Sequence, residues 1–196
     1  GTSVGANNFS PLQALKQLIL EKTEGTPFFM EEVVQELFEQ GVLGRKGVET
    51  RHVASLPADL HIPTTVQGVL ASRIDRLAPD EKVLLQQLAV IGREFPLGLV
   101  RQVVPRSEDE LYRVLASLQH KEFLYEQPAF PEVEYMFKHA LTQEVAYNSV
   151  LHERRKVLHE RTAQAIEQLF EDRLEEHYSD LAHHYSRSGD MQKAAE

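Results

Sequence analysis

Apolar positions in this chain recur mostly three and four residues apart, the period of helices packed on one face. Leu12, Leu15, Leu18 and Ile19 make the first stripe, behind a Pro11 that a first helical turn tolerates. That helix is expected to end near Gly25. Pro27 opens the next, where its missing N–H costs nothing, with Phe29, Val33, Val34, Leu37 and Phe38 as the apolar face. Glu31, Glu32, Glu36 and Glu39 are expected on the water side, and Gly41 stops the helix. Residues 42–53, two short segments around Gly47, read as a β-hairpin, and residues 54–62 as a loop.

Ile62-Pro63-Thr64-Thr65 starts a further helix with Val66, Val69, Leu70, Ile74 and Leu77 at core spacing. Pro79-Asp80-Glu81 starts another, acidic in its first turn as the helix dipole favours. A helix over 80–91, a short one over 96–104 and one over 108–121 follow, the last begun by a Ser107/Glu110 capping box. Strands are expected over 122–126 and 133–138. Three helices, a strand, a turn and a strand is the order of a winged helix. Beyond His139 the pattern is helical: Leu141 to Leu151, then Val157, Leu158, Ala165, Ile166, Leu169 and Phe170, then 174–188 closed by Gly189-Asp190. A Gly-Asp turn followed by Lys193-Ala194-Ala195 is how a tetratricopeptide unit joins its helices. The expected fold is mainly α: a flexible 1–10, a helical subdomain with a small β-hairpin over 11–77, a winged-helix domain over 78–150, and α-hairpins over 151–196 leading into tetratricopeptide-like repeats.

Composition adds limits. The 196 residues are 42% hydrophobic and 26% charged, a globular balance with length for one large or two small domains. No Cys is present, which removes disulfides, thiolate metal sites and thiol catalysis and fits a reducing cytoplasm, the expected location. No apolar run approaches a bilayer span and no secretory signal is visible, so no membrane partner is expected. Gly1 stands where an initiator Met is missing, so the chain reads as part of a longer one. The net charge of −9 opposes non-specific attraction to nucleic acid.

Candidate chemistry is sparse. No Gly-Lys pair occurs, so no phosphate-binding loop exists here. No nucleophile elbow is present either, and no catalytic residue is assigned. The nine histidines form no zinc-protease pattern, since His152 and His159 each lack the second histidine four residues on. His177 and His184 share a helix face about 10 Å apart, too far for one ion. His183 and His184 are adjacent and diverge, so no metal is expected. A DNA-reading helix over 108–121 would enter the groove with Glu108, Asp109 and Glu110, the wrong sign for phosphates and base edges.

Some blocks have a likeness. Glu21-Lys22-Thr23-Glu24-Gly25-Thr26-Pro27-Phe28-Phe29-Met30-Glu31-Glu32 resembles the E-x-T-x-G-N-P-F-F-x-E-E segment of STAND-type signalling ATPases, relatives of AAA+ and NB-ARC proteins. Thr26 departs from the usual Asn. Ile62 to Gln67, Arg73 to Leu77, Ala89 to Phe95, Glu122 to Glu126 and Phe137 to Tyr147 continue the likeness in order, from about residue 12 to the end. It is strongest to the branch fused to bacterial class III adenylate/guanylate cyclases. The resemblance implies that Pro27 packs near an adenine ring, that His139 reaches a β-phosphate, and that residues 11–77 act as a lid. Beside these stand plainer readings: Pro27 as a helix start, and His139 as a junction histidine bonded to a carbonyl. Arg73 is placed either on a phosphate, as lid arginines are, or in a pair with Asp75 or another surface acid. The expectation is a non-catalytic regulatory fragment that couples the ATP/ADP state of an upstream P-loop core, with Mg, to an output such as a cyclase. Its partners would be that core, downstream tetratricopeptide-like repeats and other proteins, with no cofactor tightly held by the fragment itself. A winged-helix DNA-binding regulator and a helical interaction scaffold are the alternatives.

Overall fold

Proline at the first position starts three helices in the computed structural model, which describes residues 11–43, 62–129 and 132–189. The expected flexible start over 1–10, most of the β-hairpin and the Lys193-Ala194-Ala195 segment lie outside those residues. The chain divides into two units, Gly1–Arg73 and Ile74–Glu196.

In the first unit, α1 (Pro11–Thr23) and α2 (Pro27–Glu39) are joined by a tight turn. Glu24 and Gly25 both take left-handed backbone, with φ of 50° and 73°, a geometry glycine adopts freely. The Thr26 N–H closes the turn on the Thr23 carbonyl at 2.9 Å. After Gly41, also at positive φ, the N–H groups of Val42 and Leu43 donate to the Leu37 carbonyl. These two residues therefore finish the helix end rather than begin a strand. Leu15, Phe29, Val33, Leu37, Ile62 and Val69 form the apolar core, the last supplied by α3 (Val66–Asp75).

Two glutamates overturn the expectation of a solvated acidic face. Glu32 and Glu36 are 2% and 1% exposed, not turned to water. They stand one helical turn apart and next to Val33 and Leu37, so they share the buried stripe. Burial is tolerable because Arg73 and Ser72 of α3 meet them there.

The second unit combines a small sheet with helices around one core. Its elements are α4 (Pro79–Ile91), β1 (Glu94–Pro96), α5 (Leu97–Val103), α6 (Glu108–His120), β2 (Leu124–Gln127), β3 (Glu134–Phe137), α7 (Ala140–Asn148), α8 (His152–Leu169) and α9 (Tyr178–Ser188). The sheet is antiparallel in the order β1-β3-β2, with Phe95 opposite Tyr135 and Leu124 opposite Phe137. β1 has no counterpart in the sequence reading. It is three residues long and ends in proline, which an edge strand accepts.

Leu84, Leu88, Val100, Leu115, Phe123 and Phe137 lie in the core, and so do Ala165 and Ile166 of α8. Residues after 150 are thus packed into the same core as the sheet. The expected single helix over 174–188 is corrected. A 3-10 segment, Glu171–His177, comes first, with Arg173 at φ −149°, and α9 begins only at Tyr178. The Phe170 ring stacks on His177 at 3.9 Å and Arg173 lies over that ring, contacts that favour a tight turn over a continuous helix. Val157, one of the apolar residues that mark α8, is exposed. Gly189 ends α9 in left-handed backbone, as a helix C-terminus prefers. No helix among the described residues is long and apolar enough to cross a membrane.

Candidate functional site

Pro27 and His139 both mark helix starts, one in each unit. Pro27 is exposed at the first position of α2, and Thr26 before it is in extended backbone. An exposed, rigid ring at a helix N-terminus can meet a flat apolar surface at little conformational cost. His139 precedes α7 in extended backbone, φ −136°, directly after β3. Its carbonyl accepts the Thr142 N–H at 3.0 Å, and its imidazole is not used to cap the helix. Phe137 is buried two residues earlier and Lys138 is tied to Glu122 at 2.7 Å, so the junction is held on both sides of the chain.

Arg73 is placed differently from both expectations. It does not pair with Asp75, which Lys82 engages at 2.7 Å. Instead its guanidinium is 2% exposed and bonded to Glu32 and, at 2.8 Å, to Glu39. Burial opposes its charge, but hydrogen bonds and the two carboxylates outweigh that and hold its pKa above the ordinary value. A phosphate contact by Arg73 would require these pairs to open.

The helix proposed for DNA reading presents Glu108, Asp109 and Glu110 exposed in its first turn. Its cations are engaged: Arg113 with Asp80 at 3.4 Å and Lys121 with Glu81.

One polar cluster escaped the sequence reading. His159 of α8 and His184 of α9 are 1% and 4% exposed, and their Nδ1 atoms lie 2.8 Å apart. Tyr147 Oη stands 3.0 Å from His159 Nε2, and His184 also bonds the backbone of Ile91. A single proton order satisfies every atom: Tyr147 donates to His159, His159 to His184, and His184 to Ile91. That order needs both imidazoles neutral. Burial, then the nearby His183, Arg187 and Arg155, push His159 down to about 4. Burial, then His159 and His183, push His184 down to about 3. The adjacent His183 and His184 do diverge, with rings at 77°, and the inward one finds its partner 25 residues earlier in the chain. No local spacing in the sequence records that pairing, which packing of α8 on α9 creates. No group of three or more potential metal ligands occurs among the described residues.

A cavity of about 670 Å³ lies beside β1 and the 3-10 segment, lined by Glu94, Glu134, Phe170, Arg173 and His177 among others. Two smaller ones flank α9, of about 380 and 310 Å³. Pro27, Arg73 and His139 line none of these three.

No family model matches the chain. An uncharacterized protein of Rhizobium meliloti (strain 1021) is 29% identical over 145 residues, which cover 74% of this chain and 13% of that protein. The chain therefore spans a small part of the length of this relative.

Proposed function

We propose that this chain is the regulatory part of a STAND-type signalling ATPase, a lid-like helical unit followed by a winged helix and the start of a repeat region. Coupling between nucleotide state and output requires contacts that differ between the two states. Pro27 would supply one at the base and His139 one at the phosphate end. The observation that carries this reading is the placement of both residues at helix starts, within blocks that resemble that family in order. The helix and strand order of the second unit is consistent with a winged helix. The coverage of only 13% of a much longer relative fits a module of a larger protein.

The residues present offer one apolar ring and one imidazole toward a nucleotide, and the sequence holds no Gly-Lys pair. ATP or ADP, with Mg, would be gripped mainly by a P-loop core outside this chain. Arg73, bound to Glu32 and Glu39, is left out of the nucleotide contacts. A DNA-reading role is not favoured, because α6 leads with three exposed acids and its cations are engaged internally.

Calorimetric titration of the chain with ADP should show no binding that depends on His139. In the intact protein His139→Ala should change basal output while leaving the folded state intact. Unchanged output with an intact fold would refute the switch role.

A further inference from the structure

The cleft of about 380 Å³ between the start of α8 and the end of α9 has a lining at odds with the rest of the chain. Arg155, Lys156 and Arg187 line it together with His152, His159 and Tyr147, and among the described residues no Asp or Glu does. The chain as a whole carries 30 acidic residues against 21 Lys and Arg. Glu153 reaches Lys156 at 3.1 Å, but Arg155 and Arg187 have no such carboxylate among the described residues, so their neighbouring charges favour an anion between them.

The two arginines are also under-used. Arg155 Nε is buried with no hydrogen-bond partner, and its guanidinium lies 4.9 Å over the Tyr147 ring. Among the described residues Arg187 meets only His183 Nδ1, at 3.0 Å, and has further N–H donors to offer at the cleft it lines. Among the described residues neither arginine pairs with a carboxylate. A buried, unsatisfied N–H in a folded protein needs an explanation, and a ligand is one. Behind them the Tyr147–His159–His184 chain is neutral and brings no counter-charge to either arginine.

We propose that this cleft binds a small phosphate-bearing molecule, its phosphate gripped by Arg155 and Arg187 with Lys156 and His152 at the rim. Arginine forks match phosphate oxygens two at a time, and two arginines without a carboxylate partner, beside the Glu153-paired Lys156, suit a multiply charged group better than a single carboxylate. The volume exceeds that of one phosphate and falls in the range of small-molecule sites. The site is independent of the nucleotide contacts assigned to Pro27 and His139, since neither lines it.

Inorganic pyrophosphate is the probe, titrated into the chain at constant ionic strength with acetate as control. Saturable binding with Kd near or below ~1 mM is expected, with acetate at least about tenfold weaker. Arg155→Gln and Arg187→Gln should each weaken pyrophosphate about tenfold or more, as loss of a charge-assisted pair does. Arg187 is exposed, so its variant tests the site without a folding penalty. In NMR the His159 imidazole should titrate at higher pH once pyrophosphate offsets the neighbouring arginines. Absence of saturation, or binding equal in the wild type and both variants, would overturn the proposal. ADP serves as a second arm: binding lost in Arg187→Gln but kept in His139→Ala belongs to this cleft, and the reverse pattern would count both against this cleft as the phosphate site and against a nucleotide grip that lies outside the chain.

Discussion

The two units bury polar side chains by opposite means. In the first, Arg73 is kept charged among Glu32 and Glu39, with Glu36 accepting from Ser72 and Gln40. In the second, Tyr147, His159 and His184 are kept neutral and joined by hydrogen bonds alone. A paired buried charge gains strong attraction but bears a large desolvation cost, so its net worth is small while the loss of one partner is severe. A neutral chain bears less desolvation and gains less, and its weak point is any condition that adds a proton. One arrangement is sensitive to truncation and the other to acid.

Truncation should give the largest effect. Arg73→Ala leaves Glu32 buried beside an empty space, and destabilisation of about 3–5 kcal/mol is expected from urea unfolding. Arg73→Met combined with Glu32→Gln should recover much of that loss, since both charges leave together. If the double variant is as unstable as the single one, the burial of charge is not what Arg73 and Glu32 contribute.

Acid comes next. The unfolded chain protonates its histidines near pH 6.5, whereas folded His159 resists until about 4 and His184 until about 3. The unfolded state therefore binds more protons in this window. The stabilisation is fully present above pH 6.5 and is lost as pH falls toward 4. For His159 alone the loss is on the order of 3 kcal/mol. His159→Gln should flatten the slope of stability against pH between 4 and 6.5, measured by urea unfolding at each pH. A slope identical to that of the wild type would assign the acid sensitivity to carboxylates instead.

The smallest effect sets the floor for an exposed hydrogen bond. Ser107 Oγ accepts the Glu110 N–H at 3.4 Å at the start of α6. Ser107→Ala should cost about 0.5–1 kcal/mol, the low end for a helix cap, with no dependence on pH.

These contrasts also separate what could be read early from what could not. Proline placement and the periodic apolar residues marked α1, α2 and α4, and Ser107 marked α6, because helix starts depend on a few neighbouring residues. The helix starts at Pro27 and after His139 were legible for the same reason. Strand β1 was not, because three residues ending in proline hold too little alternation, and its pairing partner lies some forty residues away. The break before α9 was missed because Phe170 and His177 stack across it, a contact that no local periodicity records.

What the chain determined by itself is its local order: mainly helical, acidic overall, free of cysteine and of a Gly-Lys phosphate loop. Those properties follow from residue identity and short-range spacing. Tertiary packing decided which polar residues are buried. Glu32 and Glu36 look solvated on a helical wheel until Arg73 and Ser72 of α3 arrive beside them. His159 and His184 look like ordinary surface histidines until α8 and α9 press their Nδ1 atoms together. Whether a polar atom can leave water depends on a partner distant in sequence, and only the fold brings that partner within reach.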